Sequence, residues 1–571
     1  MAHTHADERA PLVAHTNGRS YAAVAAASSP EEGEARRPRS RGHHNLAGLP
    51  AWRFHIACLA IWSATFLAAF DGTVVATLLS SIGSSFNALN QASWLGTAYL
   101  LSLCSFTPVY GRLSDALGRR NALLVALGSF TLGTAACAVA PSMGSLIAAR
   151  VLAGVGGGGL TSVGSILLSD LVDIRHRGLY QGYANVLFGL GASLGGPVGG
   201  WCADTFGWRA AFSAQVPLLA ASVVSILIFV PSSLGAGGDD DASWSDKLKK
   251  IDYAGSTFLA AAIGSLLLGV SLKTAASKPG GGEYAWSDPL VVGLLVGSLV
   301  LTGIFLAIEG KYAAEPVLPL SLLTRRTPAS VAFANLTMAA CIFSMLYNVP
   351  LFFTAVRLQS SSVAGAHLLP YSVLIGFGSL AIGYAMRRTG RYYPAMMFSG
   401  VLIVISCALM LTWTTEVPEW LTWLAPTPAG FGYAGALTST LVAIIAEVTK
   451  NGRSEIAVAT SMTYMFRTVG QVLGVALSAA ILQATLETDL TAQLSDRALV
   501  DAIRHSTTII PGLPSHIRRI AVDAYAHGLH RVWVFNLGLA LLTLAIMSVA
   551  DNEHMPESAG GARDEDADTE A

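Results

Sequence analysis

Fourteen apolar runs, each about as long as the 20 residues a helix needs to cross a bilayer, recur along the chain, and no other feature constrains its fold so tightly. They lie near 55–79, 92–110, 121–140, 144–168, 179–203, 210–230, 252–272, 289–308, 327–353, 367–386, 395–415, 421–447, 456–484 and 530–550. Membrane-spanning strands would be short and would alternate apolar with polar residues. These runs are long and continuous, so each reads as a helix that satisfies its own backbone in hydrocarbon. Composition agrees. Of the 571 residues 53% are hydrophobic and 12% charged, against the roughly one quarter charged of a soluble domain. The formal net charge of −1 points to no acidic or basic partner, and no nucleic-acid partner is expected.

Lys and Arg placement orients the spans. With the N-terminus in the cytosol, the inward connections carry Arg112, Arg119, Arg120, Arg175, Arg177, Lys247, Lys249, Lys250, Lys311, Arg325, Arg326, Arg387, Arg388, Arg391, Lys450 and Arg453. The short outward connections carry only Arg209, Lys273, Lys278 and Arg357. The outward loop 485–529 is long enough to escape the positive-inside rule, so fourteen helices with both ends cytosolic fit.

Internal likeness divides the chain further. "GRLSDALGRRNA" from Gly111 and "GYAMRRTGRYYPA" from Gly383 both read G-x6-G-R on an inward connection. "LAGVGGGGLTS" at 152–162 matches "PAGFGYAGALTS" at 428–439, and "FGLGASLGG" at 188–196 matches "RTVGQVLGV" at 467–475. Three ordered matches at a near-constant offset imply duplicated six-helix bundles, an arrangement of parallel repeats found among secondary transporters. The expected organisation is a tail over 1–53, a bundle over 54–230, a cytosolic linker over 231–251, two extra helices over 252–310, a second bundle over 311–550 and an acidic tail over 551–571. Both tails are polar enough to read as disordered. The first has the basic run "RRPRSRGHH" and no early apolar core, so no cleavable signal peptide is expected. Cys58, Cys104, Cys137, Cys202, Cys341 and Cys407 lie in or beside apolar segments without a CxxC pair, which points to buried hydrophobes rather than disulfides or a metal site. No cofactor is expected.

The most specific stretch is "GRLSDALGRRN" at 111–121. Gly111 lets the second span end close against a neighbour, and Asp115 and Arg119, four apart, pair if the loop is helical. Here the chain resembles the major facilitator superfamily, whose signature loop between spans two and three reads G-x-x-x-D-x-x-G-R-[RK]; Gly111, Asp115, Gly118, Arg119 and Arg120 fill it. "RVLAGVGGGG" from Arg150 resembles the family's fourth-span motif. "GLGASLGGPVGG" from Gly189 resembles its fifth-span antiporter motif, which would assign Gly191, Gly195, Gly196, Pro197, Gly199 and Gly200 to helix bending and close packing, although the glycine spacing drifts by about one residue. "FLAAFDGTVVATLL" and "KKIDYAGSTFL" resemble the fourteen-helix drug:proton antiporter branch. Within it, "SDLVDIRHRGLYQGYANVLFGLGASLGG" at 169–196 and "ATSMTYMFRTVGQVLGVALSAAILQ" at 459–483 are similar to fungal vacuolar basic amino acid transporters.

Asp71 interrupts the first span. A charge at the bilayer centre costs about 2.5–3.5 kcal/mol on insertion scales, so it faces a water-filled cavity or a partner. Desolvation favours the neutral acid and brings protonation within reach at moderate acidity. A carboxylate that either takes a proton or faces a cationic group suffices for exchange; the alternative is a structural pair with another helix. Arg150 and Arg467 are the other ionised groups placed at depth. One acid and two arginines complement an amino acid, with its ammonium near Asp71 and its carboxylate near an arginine; the alternative for each arginine is a bond to a helix carbonyl.

Two pattern matches carry no chemistry. Gly154-x-Gly156-x-x-Gly159 has no preceding strand, and "GASLG" at 191–195 has no strand-turn-helix context. No GxxxxGK[ST] loop occurs, which excludes direct drive by ATP. "ERAPLV", with Glu8, Leu12 and Val13, fits an acidic dileucine sorting pattern. The expectation is a monomeric, non-enzymatic proton-coupled antiporter of basic amino acids in the vacuolar membrane, with protons, small-molecule substrate and lipid as partners. The runner-up is a plasma-membrane drug:proton antiporter. A nutrient sensor lacks the large signalling tails expected of one, and a membrane enzyme lacks a catalytic cluster.

Overall fold

The computed structural model describes residues 48–86, 88, 93–232, 252–275, 284–312, 320–359, 361–450, 455–505 and 507–552. The sorting pattern at Glu8, Leu12 and Val13, most of both tails and most of the 231–251 linker lie outside them. The long helices are α1 (Ala51–Ser85), α2 (Ser93–Leu117), α3 (Arg119–Val139), α4 (Met143–Leu171), α5 (Ile174–Phe206), α6 (Gln215–Phe229), α7 (Tyr253–Ala275), α8 (Pro289–Lys311), α9 (Arg326–Ala355), α10 (Leu369–Thr389), α11 (Tyr393–Met410), α12 (Thr427–Thr449), α13 (Ile456–Gln493) and α14 (Ser515–Ser548). They are helices because apolar, Ala- and Leu-rich runs close every backbone bond internally.

Among the described residues, 12 helical stretches are long and apolar enough to cross a membrane. They cover twelve of the fourteen expected positions. The other two are occupied by α2 and by α7, whose apolar part Ala254–Val270 is shorter. α2 is diluted by hydroxyls, and Ser102, Ser105, Thr107 and Ser114 are all buried against its neighbours. The fold is all-α among the described residues, as its sequence implies.

α1 packs most extensively on α5, and α4 on α2 and α3. In the later part of the chain α9 packs on α13 and α14, and α12 on α10 and α11. α7 and α8 form a hairpin against α2 and α13. One buried cluster, around Val74, Leu78, Cys137 and Trp208, draws only on α1–α5 and the short helix Trp208–Ser213; another, around Met345, Phe352, Trp413 and Trp533, draws only on residues after 333. All six cysteines are buried and free.

The two groups meet at the ends that carry Gly111, Arg387 and Arg388, the inward side by charge. A Cβ on Gly111 would stand 2.6 Å from the Ser461 hydroxyl of α13, and one on Gly383 of α10 would stand 2.7 Å from the Gly178 backbone of α5. α5 and α10 stay together through Gly182–Leu380 and Val186–Gly376. One turn further out a Cβ on Gly189 would meet nothing within 4 Å.

The outward loop 485–529 is largely helical. α13 runs on through Gln493 and α14 begins at Ser515. At about 1.5 Å per residue both helices are longer than the hydrocarbon layer is thick. A short helix, Arg497–His505, seals their ends, burying Val500 and Ile503 beside Ile510 and Tyr525. The Tyr525 hydroxyl donates to the Ile503 carbonyl at 2.9 Å, and Arg504 Nε donates to Gln483 Oε1 at 3.2 Å. Apolar spacing within the loop, hidden by its polar composition, drives this ordering.

Candidate functional site

Asp71 does not stand alone. Arg150 Nη1 of α4 donates to its Oδ2 at 2.7 Å, and both side chains are buried, 1% and 0% exposed. Arg150 Nε donates to the Leu95 carbonyl at 3.3 Å, and the guanidinium lies 4.4 Å from the centre of the Tyr99 ring. α1, α2 and α4 thus converge on one neutralised pair. Asp71 Oδ1 is buried and has no hydrogen-bond partner among the described residues. A pair in this setting offsets part of the cost of burying either charge and leaves one carboxylate oxygen unbonded among the described residues.

The fifth-span glycines explain why α1 is held so closely. A Cβ on Gly191 would overlap the Phe66 carbonyl, one on Gly195 the Thr73 hydroxyl and Phe70 carbonyl, and one on Gly199 would stand 3.2 Å from Val74. These positions recur every four residues along one face of α5, so the stripe lies on the backbone that flanks Asp71. Gly196 and Gly200 touch only Thr77, at 3.4 and 3.8 Å, and Pro197 is exposed.

Arg467 lies elsewhere. It projects from α13, half-buried, with its guanidinium 4.0 Å from the Tyr464 ring centre and its buried Nε without a partner among the described residues. Tyr433 of α12 is a near neighbour of Arg467 and of Gln471, which lies four positions further along α13. The structure therefore brings together two of the three charges singled out in the sequence and leaves the third apart.

On the inward side Arg119 is the hub. Its Nη1 donates to Asp115 Oδ1 at 2.5 Å and to the Ser114 hydroxyl at 3.0 Å, and its Nε donates to Asp170 Oδ2 at 2.9 Å. Arg112 approaches Asp115 at 3.9 Å. Burial pushes the Asp115 carboxyl above its ordinary value, with the Arg119 and Arg112 guanidiniums opposing. Gly118 takes φ +81° between α2 and α3, a turn that favours glycine, and Arg120 Nη2 donates to the Leu227 carbonyl at 2.7 Å. Sequence reasoning found the Asp115–Arg119 pair and missed Asp170, 51 positions from Arg119, whose signal was its place as the last acid of α4.

A second cluster was missed altogether. Asn185 Nδ2 of α5 donates to the Ser379 hydroxyl of α10 at 2.8 Å, and Ser379 bonds Thr438 of α12 at 2.6 Å. Gln181 lies 3.4 Å from Asn185 and from Ser165 of α4, extending the chain of polar contacts into the first half. The cluster lies beside the Gly182–Leu380 contact and is a polar tie of the inward closure between α5, α10 and α12.

A helical bundle of many spans, in two groups that meet near their inward ends and with paired charge buried at depth, has the architecture of a small-molecule transporter of the membrane. The chain belongs to the Major Facilitator Superfamily, whose family model matches residues 61–475. It is 38% identical to multidrug resistance protein fnx1 of Schizosaccharomyces pombe over 85% of this chain and 90% of that one. It is 30% identical to vacuolar basic amino acid transporter 2 of Saccharomyces cerevisiae over 82% of this chain and 100% of that one. Its fold is similar to that of the human organic anion transporter MFSD10, with a TM-score of 0.57 at 14% identity over 87% of this chain and 100% of that one.

Proposed function

We propose that the protein is a proton-coupled antiporter that carries the basic amino acids lysine, arginine and histidine from the cytosol into the vacuole. The observation that carries this reading is the buried Asp71–Arg150 pair, closed at 2.7 Å with one carboxylate oxygen to spare. A proton arriving from an acidic lumen neutralises Asp71, releases the Arg150 guanidinium and loosens α1 from α4. Because the Gly191–Gly195–Gly199 stripe of α5 rests on α1, that change reaches the helix whose other end closes the inward side. The Arg119–Asp115–Asp170 hub, with Gly111 against Ser461, serves as the inward gate. The likeness to vacuolar basic amino acid transporter 2 supports the substrate class and the membrane. Glu8, Leu12 and Val13 would route the chain there, and a monomer holds every group named.

The test is uptake of labelled lysine into vacuolar vesicles with an imposed pH gradient, read together with lysine-dependent proton release. Uptake without proton release removes the coupling; no uptake removes the substrate class. The likeness to multidrug resistance protein fnx1 favours a second reading, a plasma-membrane drug:proton antiporter. A tagged protein at the cell surface, with cationic drug accumulating when it is deleted, would select that reading.

A further inference from the structure

Arg467 is a cation that the fold leaves unspent. It shares one face of α13 with Tyr464 and Gln471, three positions before and four after it. Tyr464 is buried, and Ser461, three positions before it, meets Gly111 of α2, so this stretch of α13 packs on the first half of the molecule. Among the described residues no carboxylate and no carbonyl bonds the guanidinium; its only close partner is the π-face of Tyr464. Tyr433, from α12, is buried beside Arg467 and Gln471. On α12 Tyr433 precedes Thr438 by five residues, so it stands about 7 Å outward of the Asn185–Ser379–Thr438 tie. By helix register Arg467 stands level with that tie, as far along α13 from its inward end as Asn185 and Thr438 are along theirs, with Tyr433 further out.

We propose that Arg467, with Tyr433 and Gln471 beside it, is the docking point for the substrate's carboxylate, and that Arg150 takes no part in holding substrate. Arg150 already gives its Nη1 to Asp71, its Nε to Leu95 and its face to Tyr99, with 1% of the side chain exposed. A planar guanidinium offers two parallel donors that match a carboxylate, and stacking on Tyr464 fixes its plane in advance. Tyr433 supplies a hydroxyl and Gln471 a side-chain amide as further donors to the same carboxylate. The proposal rests on the amino-acid reading above for the identity of the ligand; the geometry by itself calls for a small monocarboxylate.

The arginine-selective reagent phenylglyoxal tests this on the full-length protein in detergent, with the adduct at each arginine read by peptide mass spectrometry. Three competitors are compared: lysine, leucine, and cadaverine, which is lysine without its carboxylate. Arg467 is expected to react and Arg150 to stay unmodified. Saturating lysine should lower the Arg467 adduct by roughly tenfold, the occupancy of a site at ten times its dissociation constant, while cadaverine leaves it unchanged. Tyr433→Phe and Gln471→Leu should each raise the lysine concentration for half-protection by roughly threefold to tenfold, the worth of one hydrogen bond. Protection by leucine but not lysine upholds carboxylate docking and overturns the basic-substrate reading instead. An unreactive Arg467, no protection by either amino acid, or equal protection by cadaverine overturns the docking site.

Discussion

Arg150 and Arg467 are both arginines in apolar helices, yet the fold treats them oppositely. In the first half the guanidinium is spent: a carboxylate, a carbonyl and an aromatic face enclose it. In the second it is stacked on one tyrosine and otherwise uncommitted among the described residues. A charge persists in hydrocarbon by pairing with another or by reaching water, and the two outcomes suit different work. A closed pair ties two helices together. An open cation is free to meet an anion. On the function proposed above, proton handling and substrate handling would occupy separate halves.

The most severe way to break this contrast is Asp71→Asn. It leaves Arg150 buried and uncompensated, at a cost of about 3–5 kcal/mol, and removes the titrating group, so pH-driven lysine uptake should fall to background with a lower unfolding midpoint. The double variant Asp71→Asn/Arg150→Gln separates the two effects. It should recover the midpoint and not the uptake; a double variant that exchanges lysine for protons at a near-normal rate would make the pair purely structural.

Gly195→Leu should come next. Its side chain would drive into the Phe70 carbonyl and Thr73, on the stretch that holds Asp71, and should abolish transport or turn it into proton leak. Gly189→Leu, six residues earlier on α5 but facing open space, should leave uptake near normal. Equal behaviour of the two in the same vesicle assay would detach the glycine stripe from the coupling pair.

Asp115→Asn sharpens the picture at the gate. It takes from Arg119 one of two carboxylates while Asp170 remains, so exchange should drop roughly tenfold, equivalent to about 1.4 kcal/mol, at normal protein level and location. Loss of the protein itself would assign the motif to folding. A smaller effect is expected from Thr438→Val, which removes a hydroxyl from the tie to Ser379 and Asn185. Weakening the closed state by one hydrogen bond, about 0.5–1.5 kcal/mol, should populate the inward-open form and lower the cytosolic lysine concentration for half-maximal uptake. An increase would place that cluster in the open state instead. Smallest of all for the transport machinery is replacement of Glu8, Leu12 and Val13 by alanine: a tagged protein should leave the vacuolar membrane while uptake per molecule stays unchanged. Unchanged location would leave the sorting pattern without a role.

What the sequence determined by itself was everything that depends on one-dimensional order. Apolar runs long enough to span a bilayer, Lys and Arg on alternate connections, and the Asp115–Arg119 spacing are all local, and the helices follow them closely. The same local reading isolated Asp71, Arg150 and Arg467, because a charge in an apolar run is conspicuous wherever it points. Its direction was not legible. Asp71 and Arg150 are 79 positions apart and Asn185 and Ser379 are 194 apart, and no periodicity along a chain records which helix faces which. Serine and threonine are still harder to read, since in a helix most bond their own backbone, as Thr438 also does to Ala434. Only the packing of α1 on α4, and of α13 on its neighbours, decided that one arginine is matched and another left stacked on a single ring, because pairing energy depends on distances that the fold alone sets.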